Sequence, residues 1–189
     1  MTEERYGAQL GPLGSILRTS GRFLIRTSSK ETLDTALQVS RNLFQYFAAD
    51  SEIIDLGAAL AFHQGNIISV ALGCDLPPSA SWFHSVDLLA DHGLVVRKCN
   101  GQERLFQFEE GLGAIFLRPL PLGRLELVIW GYDGCGLRLA ARLLPMLTGV
   151  GQPDFIIVSK RCAWEGAAGV HAMGSFDNSW GVSETSFVS

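Results

Sequence analysis

The stretch Leu125-Glu-Leu-Val-Ile-Trp-Gly-Tyr-Asp-Gly-Cys-Gly-Leu-Arg-Leu-Ala-Ala-Arg-Leu-Leu144 decides the fold. Its first six residues form a nearly continuous apolar run, the pattern of a strand buried on both faces. Gly131 ends that run, and Asp133 is a residue type that caps helices through its carboxylate. Leu137, Ala140, Ala141, Leu144 and Leu147 then recur on one helical face. Strand, tight turn and helix in direct succession are the parts of a βαβ unit, and they predict an α/β chain.

The same alternation continues outward on both sides. Phe23–Arg26, Ile53–Leu56, Ile67–Leu72, Ala114–Leu117 and Phe155–Val158 read as further short apolar strands. Thr32 to Asp50 carries Leu33, Ala36, Leu37, Leu43, Phe44 and Phe47 at helical spacing, with Ser28 or Ser29 as N-cap. Leu94–Arg97 and Arg104–Phe108 flank Asn100-Gly101, a hairpin signal, and Pro77-Pro78 breaks the chain before them. Gly169–Met173 reads as a last strand, followed by a turn over Gly174–Trp180. The expected architecture is one α/β domain over residues 1–189: three layers and a mainly parallel, flavodoxin-like sheet with an inserted antiparallel hairpin.

Hydrophobic residues make up 47% of the chain and charged residues only 18%, against roughly 25% in an average soluble domain. A chain so lightly charged either buries its sheet on both faces or keeps a face for another body. The net charge of −4 and the absence of a basic cluster exclude a nucleic-acid footprint. No run of about 20 apolar residues exists to span a membrane. The opening Met1-Thr-Glu-Glu-Arg-Tyr6 is polar and acidic, unlike a secretory signal, and leaves localisation open. Cys74, Cys99, Cys135 and Cys162 lack metal-ligand spacing and read as small buried hydrophobes, with one or two disulfides open to them in an oxidising compartment.

Candidate chemistry is sparse. A nucleophile elbow is absent, and Gly181-Val-Ser183-Glu-Thr185 lacks both its closing glycine and a following helix. His171 and Asp177 form a base–acid pair only if the turn between them folds back. Cys135 lies in the first turn of the expected helix, where the dipole favours a thiolate. Gly131, Asp133, Gly134, Cys135 and Gly136 form a glycine-rich strand-to-helix junction, the place where open α/β sheets bind small ligands. The junction matches neither a dinucleotide fingerprint nor a P-loop, so no cofactor and no metal is expected. Trp164, Phe176 and Trp180 fall close together and read as a docking face.

Several stretches together carry a resemblance. They are Gly11-Pro-Leu-Gly14, Phe23-Leu-Ile-Arg26, Gln38–Asp50, Gly113–Pro121, Leu143–Gly149, Gln152-Pro-Asp-Phe155 and Gly174-Ser-Phe-Asp-Asn-Ser-Trp180. They resemble the C-terminal, flavodoxin-like α/β region of large fungal proteins of the prolyl-oligopeptidase-like α/β-hydrolase type, often secreted. Related bacterial regions end in Gly-Phe-Phe-Asp-x-x-Trp, from which this chain departs at Ser175. The resemblance covers nearly the whole chain but none of that type's Ser-Asp-His machinery, which lies upstream in such proteins. It implies the C-terminal piece of a larger protein: a non-catalytic accessory domain whose partner is a serine-hydrolase domain, in cis or in trans. The alternatives are a small-ligand-binding flavodoxin-like domain and a hydrolase built on Cys135 or His171.

Overall fold

A computed structural model describes residues 4–58, 63–76, 82–89, 92–144 and 152–189. The Pro77-Pro78 break and the expected helix end at Leu147 lie outside the described residues, but the second helix stops at Ala141 and Arg142–Leu144 are no longer helical, shorter than the expected Asp133–Leu147. Strands are β1 Phe23–Thr27, β2 Ser51–Asp55, β3 Ile67–Leu72, β4 Val86–Leu89, β5 Gly93–Arg97, β6 Glu103–Gln107, β7 Gly113–Leu120, β8 Arg124–Gly131, β9 Phe155–Val158, β10 Val170–Gly174 and β11 Phe187–Val188. Helices are α1 Lys30–Phe47, α2 Gly134–Ala141 and the single turn α3 Cys162–Glu165. Two short 3-10 segments, Gly7–Gln9 and Leu13–Leu17, precede β1.

The fold is mixed α/β, with an eight-stranded sheet in the order β11-β10-β9-β7-β8-β3-β1-β2 and a three-stranded antiparallel sheet β4-β5-β6. In the large sheet β1–β2, β1–β3 and β3–β8 pair in parallel. The pairs β7–β8, β7–β9, β9–β10 and β10–β11 are antiparallel. The expectation of a mainly parallel sheet is corrected: only one half is parallel. The reason is local. Pro121-Leu122-Gly123 turns β7 straight back into β8, and a tight hairpin can only join antiparallel strands.

The layers follow from side-chain alternation. Gly113 and Gly131 are register partners, and a Cβ on either would run into the backbone of Gly136 or Leu137 in α2. Ile115, Leu117, Leu127 and Ile129 share that face, and α1 and α2 pack side by side over it. Phe116, Arg118, Glu126, Val128 and Trp130 alternate onto the opposite face. There Phe155, the register partner of Phe116, stacks on Phe176 at 5.6 Å, and Phe176 meets Phe83 edge-on at 5.8 Å. Val86, Leu94, Val96 and Phe106 of the small sheet join the same core. Three layers result, but the third is the inserted antiparallel sheet, one strand larger than the hairpin expected from Asn100-Gly101.

Helix termini follow their sequence signals. Ser29 is the N-cap of α1, and Ala48 ends it in the left-handed conformation at φ 49°. Asp133 caps α2, its carboxylate accepting the Gly136 N–H at 2.7 Å.

Candidate functional site

The glycine-rich junction is built for close packing. Gly131 lies where the α2 backbone crosses β8, and a Cβ at Gly136 would strike the Leu112 carbonyl. Asp133 holds the Gly136 N–H through Oδ1 and, through Oδ2, the Gly111 N–H at 3.0 Å. One carboxylate therefore occupies the helix mouth and ties it to the loop before β7. Arg138 Nη1 lies beside Gly134, and Lys160 is held by Glu110 at 2.5 Å, a hydrogen bond that pushes its ammonium pKa up. Cys135 is half-buried beside Gly134, in the first turn. In the junction expected to bind a small ligand, neighbouring backbone crowds Gly131 and Gly136, and Asp133 takes the N–H groups of Gly136 and Gly111.

The hydrolase candidates do not converge. His171 Nε2 lies 2.6 Å from Glu109 Oε1, and the ring stacks on Phe106 at 5.5 Å. In a Ser-His-Asp arrangement the acid binds the other ring nitrogen and leaves Nε2 for the hydroxyl. Asp177 does not reach His171. Its Oδ1 accepts the N–H groups of Ser179 and Gly181 and the Ser179 hydroxyl, each at 2.8 Å, closing its own turn. Ser183 Oγ pairs with Thr185 Oγ1 at 3.0 Å. Among the described residues no disulfide forms, and no cluster of His, Cys, Asp and Glu could hold a metal. Cys74 and Cys99 are exposed and Cys135 and Cys162 half-buried, so the reading of the cysteines as buried hydrophobes is corrected.

The three aromatics expected on a docking face separate. Trp164 is 68% exposed on α3, whereas Phe176 and Trp180 are 5% and 1% exposed. A common face for Trp164, Phe176 and Trp180 is therefore corrected. The two buried rings belong to a clamp around Arg5. Its Nη1 donates to Asp154 Oδ2 at 2.8 Å and to the Phe176 carbonyl at 3.0 Å. Nη2 donates to the carbonyls of Gln9 and Gly11, and the guanidinium sits 4.7 Å from the Trp180 ring centroid. Phe176 N–H returns to Asp154 Oδ2 at 2.6 Å. The Gly174–Trp180 motif thus serves to lock the C-terminal segment against the start of β9 and the chain's first turns. Burial pushes the Asp154 carboxyl above its ordinary value, against the opposing pull of Arg5 and the Phe176 N–H.

The feature missed at the level of sequence is a row of alternating charge through the interior. Arg26 Nη1 lies 3.8 Å from Glu126 Oε1, and Arg118 Nη1 lies 3.9 Å from Glu126 Oε2. Ser69 donates its hydroxyl to Glu126 Oε1 at 2.5 Å. Asp87 on β4 acts on Arg118, and Arg97 carries the row outward to Asp87 at 3.9 Å and Glu103 at 2.8 Å. Burial pulls the Arg118 guanidinium below its ordinary value, while Glu126 and Asp87 pull it back up. The signal was present: single charges inside Phe23–Thr27, Ala114–Leu120 and Leu125–Trp130, each in an otherwise apolar strand.

No family model matches the chain. It is similar to an uncharacterized secreted protein of Arthroderma benhamiae, 43% identical over 192 residues that take in 98% of this chain. Those residues are 20% of the relative, so the chain spans about a fifth of the length of the curated protein it matches.

Proposed function

We propose that this chain is a non-catalytic α/β module of a larger, secreted protein, packed beside a prolyl-oligopeptidase-like serine-hydrolase domain that it helps to shape. The observation that carries the reading is the state of His171. Its Nε2 is taken by Glu109 at 2.6 Å, and Asp177 spends its carboxylate on its own turn. Support also comes from the relative, in which the matching region is a fifth of the whole. We read the parallel half, β2-β1-β3-β8 with α1, as the flavodoxin-like part of the domain.

The packing surface we assign to the tip of the β7–β8 hairpin. Leu122 is 88% exposed and held at φ 64°, a left-handed conformation costly for leucine. Tyr6, half exposed, lies over Gly123, with Leu10 close by in the chain. A strained, bare leucine beside two exposed apolar side chains suits insertion into a neighbouring domain.

The test is titration calorimetry of the chain against the remaining four-fifths of the Arthroderma protein. Binding that weakens in Leu122→Asp supports the reading. No heat and no co-elution with each component at about 1 mM, the effective concentration that a short linker supplies, would overturn it.

A further inference from the structure

A groove of ≈ 550 Å³ separates α1 from α2 on the outer side of the helical layer. One wall is a stripe of α1 residues spaced by four, Asp34, Gln38, Asn42 and Tyr46, which the helical repeat stacks into one line. The facing wall carries Arg138 and Arg142, again four apart, on the end of α2. The stripe is fixed: Gln38 Nε2 donates to Asn42 Oδ1 at 2.8 Å, and Asn42 Nδ2 donates to the Leu144 carbonyl at 3.3 Å. Neither arginine makes an ion pair among the described residues, although Asp34 lines the same groove.

Two like charges one helical turn apart repel, and the protein places no acid between them. Guanidinium groups in that position present paired donors to a carboxylate or phosphate. The amides of Gln38 and Asn42 have donors and acceptors beyond the bonds they already make, which suits hydroxyl groups. Tyr46, 58% exposed at the end of the stripe, offers a flat apolar face to a ring. We infer that this groove binds an acidic sugar: a hydroxylated ring whose single anionic group, carboxylate or phosphate, is taken by Arg138 and Arg142. The volume fits a ligand of one or two rings. One end of the groove reaches the Gly131–Gly136 junction, where Arg138 Nη1 would lie 3.3 Å from a Cβ on Gly134, and the inference is independent of any hydrolase partner.

The experiment is a two-dimensional amide NMR titration of the whole chain with glucuronate, glucose 6-phosphate, inorganic phosphate and glucose. Glucuronate or glucose 6-phosphate should shift amides of α1 and α2 at low millimolar concentration, and glucose should not. Arg138→Gln with Arg142→Gln should weaken binding by about tenfold or more. Asp34→Asn, which removes the like charge facing the ligand, should strengthen it. The inference is overturned if no shifts localise to the groove, if inorganic phosphate binds as well as the sugars, or if the double variant binds unchanged.

Discussion

Arg118 and Glu126 stand opposite each other in the β7–β8 register, Nη1 3.9 Å from Oε2, with side chains 2% and 4% exposed. At that separation they attract without sharing a hydrogen bond, and Arg26 flanks the same carboxylate at 3.8 Å from the other side. Buried charges of this kind are costly to desolvate, and their attraction offsets that cost only while every partner is present.

Removing the central carboxylate should therefore be severe. Glu126→Gln leaves Arg26 and Arg118 facing each other in the interior and is expected to cost about 3–5 kcal/mol by urea denaturation. Replacing all three with apolar residues of similar volume (Arg26→Met, Arg118→Met, Glu126→Leu) should return stability to near that of the parent or above it. A loss of under about 1 kcal/mol in Glu126→Gln would show that the row carries no mutual attraction.

Arg5 ties three distant parts of the chain together. Arg5→Ala strands Asp154 and frees the carbonyls of Gln9, Gly11 and Phe176, so a loss of about 3–5 kcal/mol is expected. Arg5→Lys should recover little of it, because a single ammonium cannot reproduce the fork of donors. The segment 174–182 should lose hydrogen-exchange protection first in both variants.

Asp154 gives the protein a definite pH signature. Its pKa is raised on folding, chiefly by burial, so the folded state holds the proton more tightly than the unfolded chain. The stability it contributes is complete below the ordinary carboxylate range and is lost as pH rises through the folded-state value. Measured from about pH 3 upward, the stability of the parent relative to Asp154→Asn should fall with pH. A gap that widens instead would mean that pairing with Arg5 outweighs burial.

The glycines of the strand-to-helix junction are expected to resist any side chain. Gly136→Ala drives a Cβ into the Leu112 carbonyl, and Gly131→Ala drives one into the Leu137 amide. Each should destabilise by about 1–3 kcal/mol through enforced backbone shifts. A Leu122→Asn change at the hairpin tip should do the reverse and raise stability by about 0.5–1 kcal/mol, because asparagine tolerates the left-handed conformation better. Thermal or urea unfolding of the three variants checks both statements.

How much could be read from residues alone differed by element. α1, the Asp133 cap and the strands at β1, β3, β8 and β9 were legible, because periodicity and caps are local signals. The direction of β7, β9 and β10 was not. Apolar runs buried on both faces look alike whether a neighbour runs parallel or antiparallel. β4 was missed because Val86–Leu89 is short, follows a polar stretch and gains its pairing from distant β5. Phe176 and Trp180 were assigned to a surface because aromatic clustering marks cores and interfaces equally. Only the long-range contact with Arg5 tells them apart.

The proposed role, a fold with no chemistry of its own that serves a catalytic partner, is checked by assaying a broad ester and peptide panel with the purified chain, the remaining four-fifths of the Arthroderma relative, and the two together. No turnover is expected from the chain alone, and turnover by the remainder should change in rate or substrate preference when the chain is added. Turnover by the chain alone that disappears in Cys135→Ala or His171→Ala would contradict it.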